Sequence, residues 1–251
     1  AANGYSLGTY INEGTVQVGN GGTTGALGTG GVVNYGTLIY NRSDSITEAN
    51  VISGSGSFSQ NGSGMTTLTG FNSFTGDLNV NAGVLGVSAN NNNNNPTTGP
   101  LGNTSVARNL TVNNGGTLKF ILGNALGSTL TAVAATLVIN SGGIVTNAAN
   151  DIETLGPIQL NGGTLTGGGG AYSAFQMYDL RGTVTVGGNS ASTISGPDNG
   201  SSGYHLAAPT DFNVADATGD ANADLYCSGV LVDQDGAGTA FGHLGAPGSL
   251  V

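Results

Sequence analysis

Asp220, Asn222 and Asp224 place oxygen-bearing side chains at alternate positions, the spacing with which a calcium loop begins. The glycine that follows the third ligand of such a loop is missing, and Leu231 stands where its bidentate glutamate would fall. Asp233 and Asp235 would have to supply remote oxygens. The plainer reading of the same residues is a polar turn before a strand over 225–232. Two acid pairs, Asp151 with Glu153 and Asp233 with Asp235, stand two apart. On a strand such residues share a face, as the paired carboxylates of glycoside hydrolysis require. They read equally as solvated loop acids. His205 and His243 are candidate bases for a nucleophilic serine, yet no G-x-S-x-G elbow occurs. Neither histidine has a partner at metal-ligand spacing.

Other chemistry is sparse. The chain has 47 Gly but neither G-x-G-x-x-G nor a phosphate-binding loop. A lyase of elongated β architecture needs a basic catalyst beside acidic metal ligands. Arg42, Arg108, Lys119 and Arg181 are the four cations, and none adjoins an acidic cluster in sequence. With a net charge of −10 they make no basic patch, which excludes nucleic acid as a partner. Cys227 is the single cysteine, so no intrachain disulfide is available, and it reads as a small buried hydrophobe. Tyr35 with Tyr40 and Phe71 with Phe74 come nearest to a sugar-stacking platform, but there is no Trp. The phenylalanines are expected in the core and the tyrosines on the surface. Asn41, Asn61, Asn103, Asn109 and Asn199 open Asn-x-Ser/Thr triplets, which chance explains in so Asn-rich a chain. The sequence predicts no enzyme and no cofactor, with Ca²⁺ as the one candidate ion.

The elements that must hold these residues are short. Runs rich in Val, Leu and Ile alternate with Gly, Asn, Ser and Thr, which is strand and turn chemistry. A pattern of aliphatic, Asn, x, Gly and aliphatic starts at residues 11, 33, 80, 112, 139 and 160. Its glycines supply left-handed turns, and its asparagines are expected to turn the chain likewise or to stack as side-chain ladders. The structural turn residues so identified are Gly76, Asn81, Gly83, Asn113, Gly115, Asn140, Gly142, Asn161 and Gly163. A period in the low twenties is that of a solenoid. No single coil can bury its own apolar face, so coils must stack, and stability becomes a sum over neighbours. The length allows about ten coils of such a period.

The segment 54–87 is the most specific part. Gly54, Gly56, Gly62, Gly64, Leu68, Gly70, Asn72, Phe74, Thr75, Gly76, Val80, Gly83 and Leu85 fall at the fixed positions of a longer pattern. In these residues the segment resembles the autotransporter-associated β-strand repeat of bacterial passenger domains. The motif Asn72-Ser73-Phe74-Thr75-Gly76 is its most distinctive stretch. Clear similarity covers about a third of the chain. The resemblance implies an all-β, right-handed parallel β-helix (a β-solenoid) carried outside the cell or on the bacterial cell surface.

Residues 1–196 are expected to form the repeats, and 197–251, interrupted by Pro197 and Pro209, irregular terminal coils of the same domain. The run 90–95 reads as a protruding loop or an asparagine ladder, and 167–170 as a turn or loop. Only 125–135 has some helix-forming residues, and its Thr and Gly content spoils the helix. No run approaches the about 18 apolar residues of a transmembrane segment. The expected function is a non-enzymatic structural surface protein that partners itself, by homopolymerisation or lateral packing. The alternative is a passenger-type adhesin binding a host or matrix glycan, and third a polysaccharide-active β-helix enzyme.

Overall fold

The computed structural model describes residues 3–89, 95–126, 133–148, 152–167, 178–196, 204–206, 210–233 and 242–243. All of its regular structure is strand, and every strand pairing is parallel. A 10-stranded sheet forms the spine. It starts at Thr15–Val18, Thr37–Tyr40, Ser57–Gln60 and Leu78–Val80 and reaches Asp211–Val214 and Gly242–His243. An 8-stranded sheet from Ser45–Glu48 to Leu225–Cys227 forms the second wall. The third wall is split. Thr9–Ile11, Val32–Asn34 and Ile52–Ser53 form it in the first coils, and a 4-stranded sheet from Glu153–Leu155 to Leu231–Asp233 forms it in the last. This is the stacked-coil β-solenoid expected from the repeats, and its spine has ten strands.

Alternation along each strand decides which side chains enter the core. In Thr37–Tyr40 and Met65–Leu68 every second residue is buried. Because the coils are in register, equivalent inward residues stack in columns. Leu38, Phe58, Leu78, Leu110, Leu137, Ile158, Val184 and Phe212 form one such column, all buried. Aromatic rings stack in the same way, Tyr40 on Phe58 at 5.5 Å and Phe58 on Phe74 at 6.2 Å between centroids. Tyr178 stacks on Tyr204 at 5.5 Å. Tyr40, Tyr178 and Tyr204 are therefore core residues, contrary to the surface placement expected for tyrosine. In a coil whose neighbours repeat the same position, one wide ring is best covered by another, and each buried hydroxyl finds an acceptor: Tyr40 at Glu48, Tyr178 at the Thr166 carbonyl at 3.1 Å and Tyr204 at the Ser195 carbonyl at 2.7 Å.

The asparagine pattern joins two different corners. Asn12 and Asn34 lie where the third wall meets the spine, with Ile11 and Asn34 in register. Asn81, Asn113, Asn140 and Asn161 lie at or next to the spine strands, where the chain leaves for the second wall. Asn41 and Asn61 occupy this second corner in the interval from 33 to 80 that the pattern leaves empty. Their backbone N–H groups bond the carbonyls of Val18 and Tyr40, both at 2.8 Å.

The asparagines take part in the turns without taking the left-handed dihedral: Asn34 Oδ1 accepts the Gly36 N–H at 3.1 Å, and the carbonyls of Asn113 and Asn140 accept from Gly116 and Gly143 at 2.9 and 2.8 Å. Among the described residues Asn124 is the one non-glycine with positive φ. The left-handed corners belong to Gly83, Gly115, Gly142 and Gly162. With the strained dihedral given to glycine, the asparagine side chain is free to reach the next coil. Gly76 and Gly163 are not left-handed. A Cβ there would strike the carbonyl of Gly56 and the side chain of Ile139 respectively, so they are glycines because coils approach closely.

No helix occurs among the described residues of 125–135, as the sequence led one to expect, and 127–132 lie outside them. So do 90–94, 168–170, Pro197 and Pro209. The described strands after residue 196 join the same sheets as those before it.

Candidate functional site

The turn residues assemble one continuous device. Asn81 Nδ2 donates to Asn61 Oδ1 at 2.8 Å, and Asn113 Nδ2 to Asn81 Oδ1 at 2.7 Å. Asn140 Nδ2 donates to Asn113 Oδ1 at 2.7 Å, and Asn161 Nδ2 to Asn140 Oδ1 at 3.0 Å. Each of the three inner amides gives one bond and takes one, while Asn61 only accepts and Asn161 only donates, so the ladder spans five coils. Its sequence spacing varies from 20 to 32 residues, because loops of different length leave the same corner.

The proposed calcium ligands sit in a turn that uses their oxygens internally. Asp224 is buried, and its Oδ1 accepts from the backbone of Ala217 and Thr218 and from Thr218 Oγ1, at 2.8, 2.8 and 2.9 Å. Asp220 accepts from the backbone N–H of Asn222 at 2.7 Å and from its side chain at 2.8 Å. Those bonds hold the Asp220 carboxyl below the usual carboxylate range. Among the described residues no three His, Cys, Asp or Glu side chains are grouped to hold a metal.

Of the candidate catalytic residues, Glu153 and His205 are the ones whose side chains are described. Asp151 and Asp235 lie outside the described residues, as do the side chains of Asp233 and His243. Glu153 is buried, and its carboxylate accepts the backbone N–H groups of Ala125 and Leu126, both at 2.8 Å. It ties an irregular corner to the third wall. His205 pairs in register with Asp179 and, one coil earlier, Asp179 with Thr154. Asp179 is 0% exposed and bonded to Arg181 Nε at 2.7 Å through Oδ2. Asp179 Oδ1, Thr154 Oγ1 and His205 Nδ1 are buried without a hydrogen-bond partner among the described residues. The coils that bring this column together are 25 and 26 residues long, a register with no sequence signature.

The aromatic pairs are split by burial. Tyr35 and Phe71 are 58% and 52% exposed, whereas Tyr40 and Phe74 are in the core. Phe74 carries the Arg108 guanidinium 4.9 Å above its ring. Arg108 also donates to the carbonyls of Asn103 at 3.0 Å, Gly76 at 2.6 Å and Leu101. Burial pushes its guanidinium down to about 10, partly offset by Asp77. This cation closes the irregular corner after the motif Asn72–Gly76, a role its sequence position does not advertise.

A cleft of about 430 Å³ opens near the first coils, lined by residues of 25–29 and 46–50 with Tyr40 and Arg42. Tyr40 Oη donates to Glu48 Oε2, and Glu48 Oε1 accepts the N–H of Asn50 at 2.8 Å. Burial, and then the Glu48 carboxylate, push the Tyr40 phenol well up. Arg42 is held by Asp44 through bonds of 2.9 and 2.7 Å, and this pairing lowers the Asp44 carboxyl.

Residues 58–87 match the family model of the passenger-associated-transport-repeat. The chain carries an autotransporter passenger repeat. The matched residues run from Ser57–Gln60 of the spine through Met65–Leu68 and Leu78–Val80 to Gly83–Val87 of the second wall. A 48-residue stretch, 19% of this chain, is 52% identical to the Adhesin BmaC autotransporter of Brucella suis biovar 1 (strain 1330). That stretch covers 1% of the adhesin. No solved structure matches the chain. The passenger repeat and this likeness indicate a location outside the cell or on its surface. No helix among the described residues is long and apolar enough to cross a membrane.

Proposed function

We propose that this surface passenger module is a non-enzymatic structural rod that lengthens by strand pairing at its ends. The observation that carries the reading is the backbone ladder of the first coil. In Thr15–Val18 and the residue before it, the carbonyls of Gly14 and Val18 accept from Thr37 and Asn41 of the next coil, both at 2.8 Å. Alternate residues of a parallel strand face opposite neighbours, so Thr15 and Gln17 turn their backbone groups away from the stack. That edge is what the next coil covers inside the rod. It takes a further coil of the same polypeptide or a second copy of this chain. Head-to-tail pairing of copies is heterologous and does not close, so it gives filaments.

Sedimentation velocity over a wide concentration range tests this. Wild type is expected to grow into longer species, and Gln17→Pro to remain monomeric, since it removes an edge N–H and leaves the bonds of Gly14 and Val18 intact. Wild type that stays monomeric throughout overturns the reading. The likeness to an adhesin favours a second reading, in which exposed loops and aromatics such as Tyr35 and Phe71 bind glycan. A glycan array without hits would sink it.

A further inference from the structure

A gap interrupts the strand ladder near the first coil. In Ser45–Glu48 and the residue before it, the carbonyls of Asp44 and Glu48 accept from Met65 and Thr69 of the following coil, at 3.2 and 3.0 Å. The odd-numbered residues therefore face the preceding coil. On that side Asn41 O accepts from Gly21 at 2.9 Å and Ser43 N–H donates to Gly22 at 3.0 Å. Further on, Val51 O accepts from Val32 at 2.9 Å. Between these points no backbone hydrogen bond joins Ser45, Thr47 or Ala49 to the preceding coil.

That coil passes as residues 23–29, and side chains engage its carbonyls where a strand would. Arg42 donates to the carbonyls of Thr23, at 2.5 Å, and Gly25. Asn50 Nδ2 takes Gly28 O at 2.7 Å, and Asn3 Nδ2 takes Ala26 O at 2.5 Å. Arg42 and Asn50 thus act as struts across the cleft of about 430 Å³. Every other strand of this wall has a neighbour on that side.

We propose that the cleft binds an extended, uncharged peptide that adds as a strand on the free edge of Ser45–Glu48. The chemistry selects this ligand. Three successive edge residues offer backbone N–H and C=O groups with strand spacing, over about 13 Å at about 3.3 Å per residue. No lining charge is left unpaired, because Arg42 is bonded to Asp44 and Glu48 to Tyr40 and Asn50. A saccharide would want an open ring face, and Tyr40, the lining aromatic, is buried. The following coil supplies the natural probe, since Met65–Leu68 pairs with the opposite edge of the same strand.

The test is amide hydrogen exchange on the full chain with the synthetic heptapeptide Gly-Met-Thr-Thr-Leu-Thr-Gly. Exchange at Thr47 and Ala49 is expected to slow at least about tenfold in a saturable manner. Two N-methylated forms of the peptide, blocked on alternate amides, separate the edges: one keeps binding and the other loses it. Thr47→Pro removes one cleft-facing N–H and is expected to abolish binding. Should that variant fail to fold, the methylated pair on the unaltered chain decides. No slowing at saturating peptide, equal binding of both methylated forms, or slowing of the same amides by a neutral trisaccharide instead of the peptide overturns the proposal.

Discussion

Replacing one rung of the asparagine ladder should cost in proportion to the bonds it holds. Asn113 gives one side-chain bond and takes one, both at 2.7 Å. A net hydrogen bond contributes about 1 kcal/mol, so Asn113→Ala is expected to lose about 2 kcal/mol. Asn161 gives one bond within the ladder, at 3.0 Å, and Asn161→Ala should lose about 1 kcal/mol. The sharper test is Asn113→Ala with Asn140→Ala. Each single change breaks two ladder bonds, but the bond between them is shared, so the double variant breaks three. The double-mutant cycle should show a coupling of about 1 kcal/mol. Urea unfolding followed by circular dichroism and by tyrosine fluorescence supplies the free energies, provided the two transitions coincide. Costs that simply add, or Asn161→Ala matching Asn113→Ala, would refute the ladder as a bonded chain.

Three further expectations concern single sites. Gly76→Val drives a side chain into the Gly56 backbone and should prevent folding, whereas Gly115→Ala, left-handed but in open space, should cost about 1–2 kcal/mol; circular dichroism and thermal melts distinguish them. Burial raises the phenols of Tyr40, Tyr178 and Tyr204 above their ordinary value of 10. The folded state then holds protons that the unfolded chain releases, so this stability is complete below about pH 10 and is lost above it, by up to about 4 kcal/mol per pH unit if all three take part. Urea midpoints that stay flat between pH 9 and 12 would contradict this. Asp224→Ala leaves the N–H groups of Ala217 and Thr218 without their acceptor and should cost about 2–4 kcal/mol with or without chelator. A loss seen only when Ca²⁺ is present would instead support a metal site.

What the sequence made legible was local. Alternating aliphatics and corner glycines between 54 and 87 identify stacked coils, because strand period and turn chemistry are written in neighbouring residues. The ladder residues were visible as a recurring motif, but their phase was not. Asn12 and Asn34 share that motif, yet they sit at another corner, since the first corner also needs a polar turn after an aliphatic. Burial of Tyr40, Tyr178 and Tyr204 depends on rings one coil away, which tyrosine's mixed polarity conceals. The column of Thr154, Asp179 and His205 depends on coil lengths set by intervening loops. The cleft was hidden for a different reason. It marks a missing strand, and the Gly-rich run 19–31 looks like any other corner until Arg42 and Asn50 are seen to engage it.

Electron microscopy of the purified chain at increasing concentration tests the central claim most directly. Ten strands at about 4.8 Å spacing give a rod about 45 Å long. The account predicts rods of constant width whose lengths grow in steps of that size, and their loss in Gln17→Pro. Particles of one fixed length at every concentration, or clusters that widen without lengthening, would contradict it.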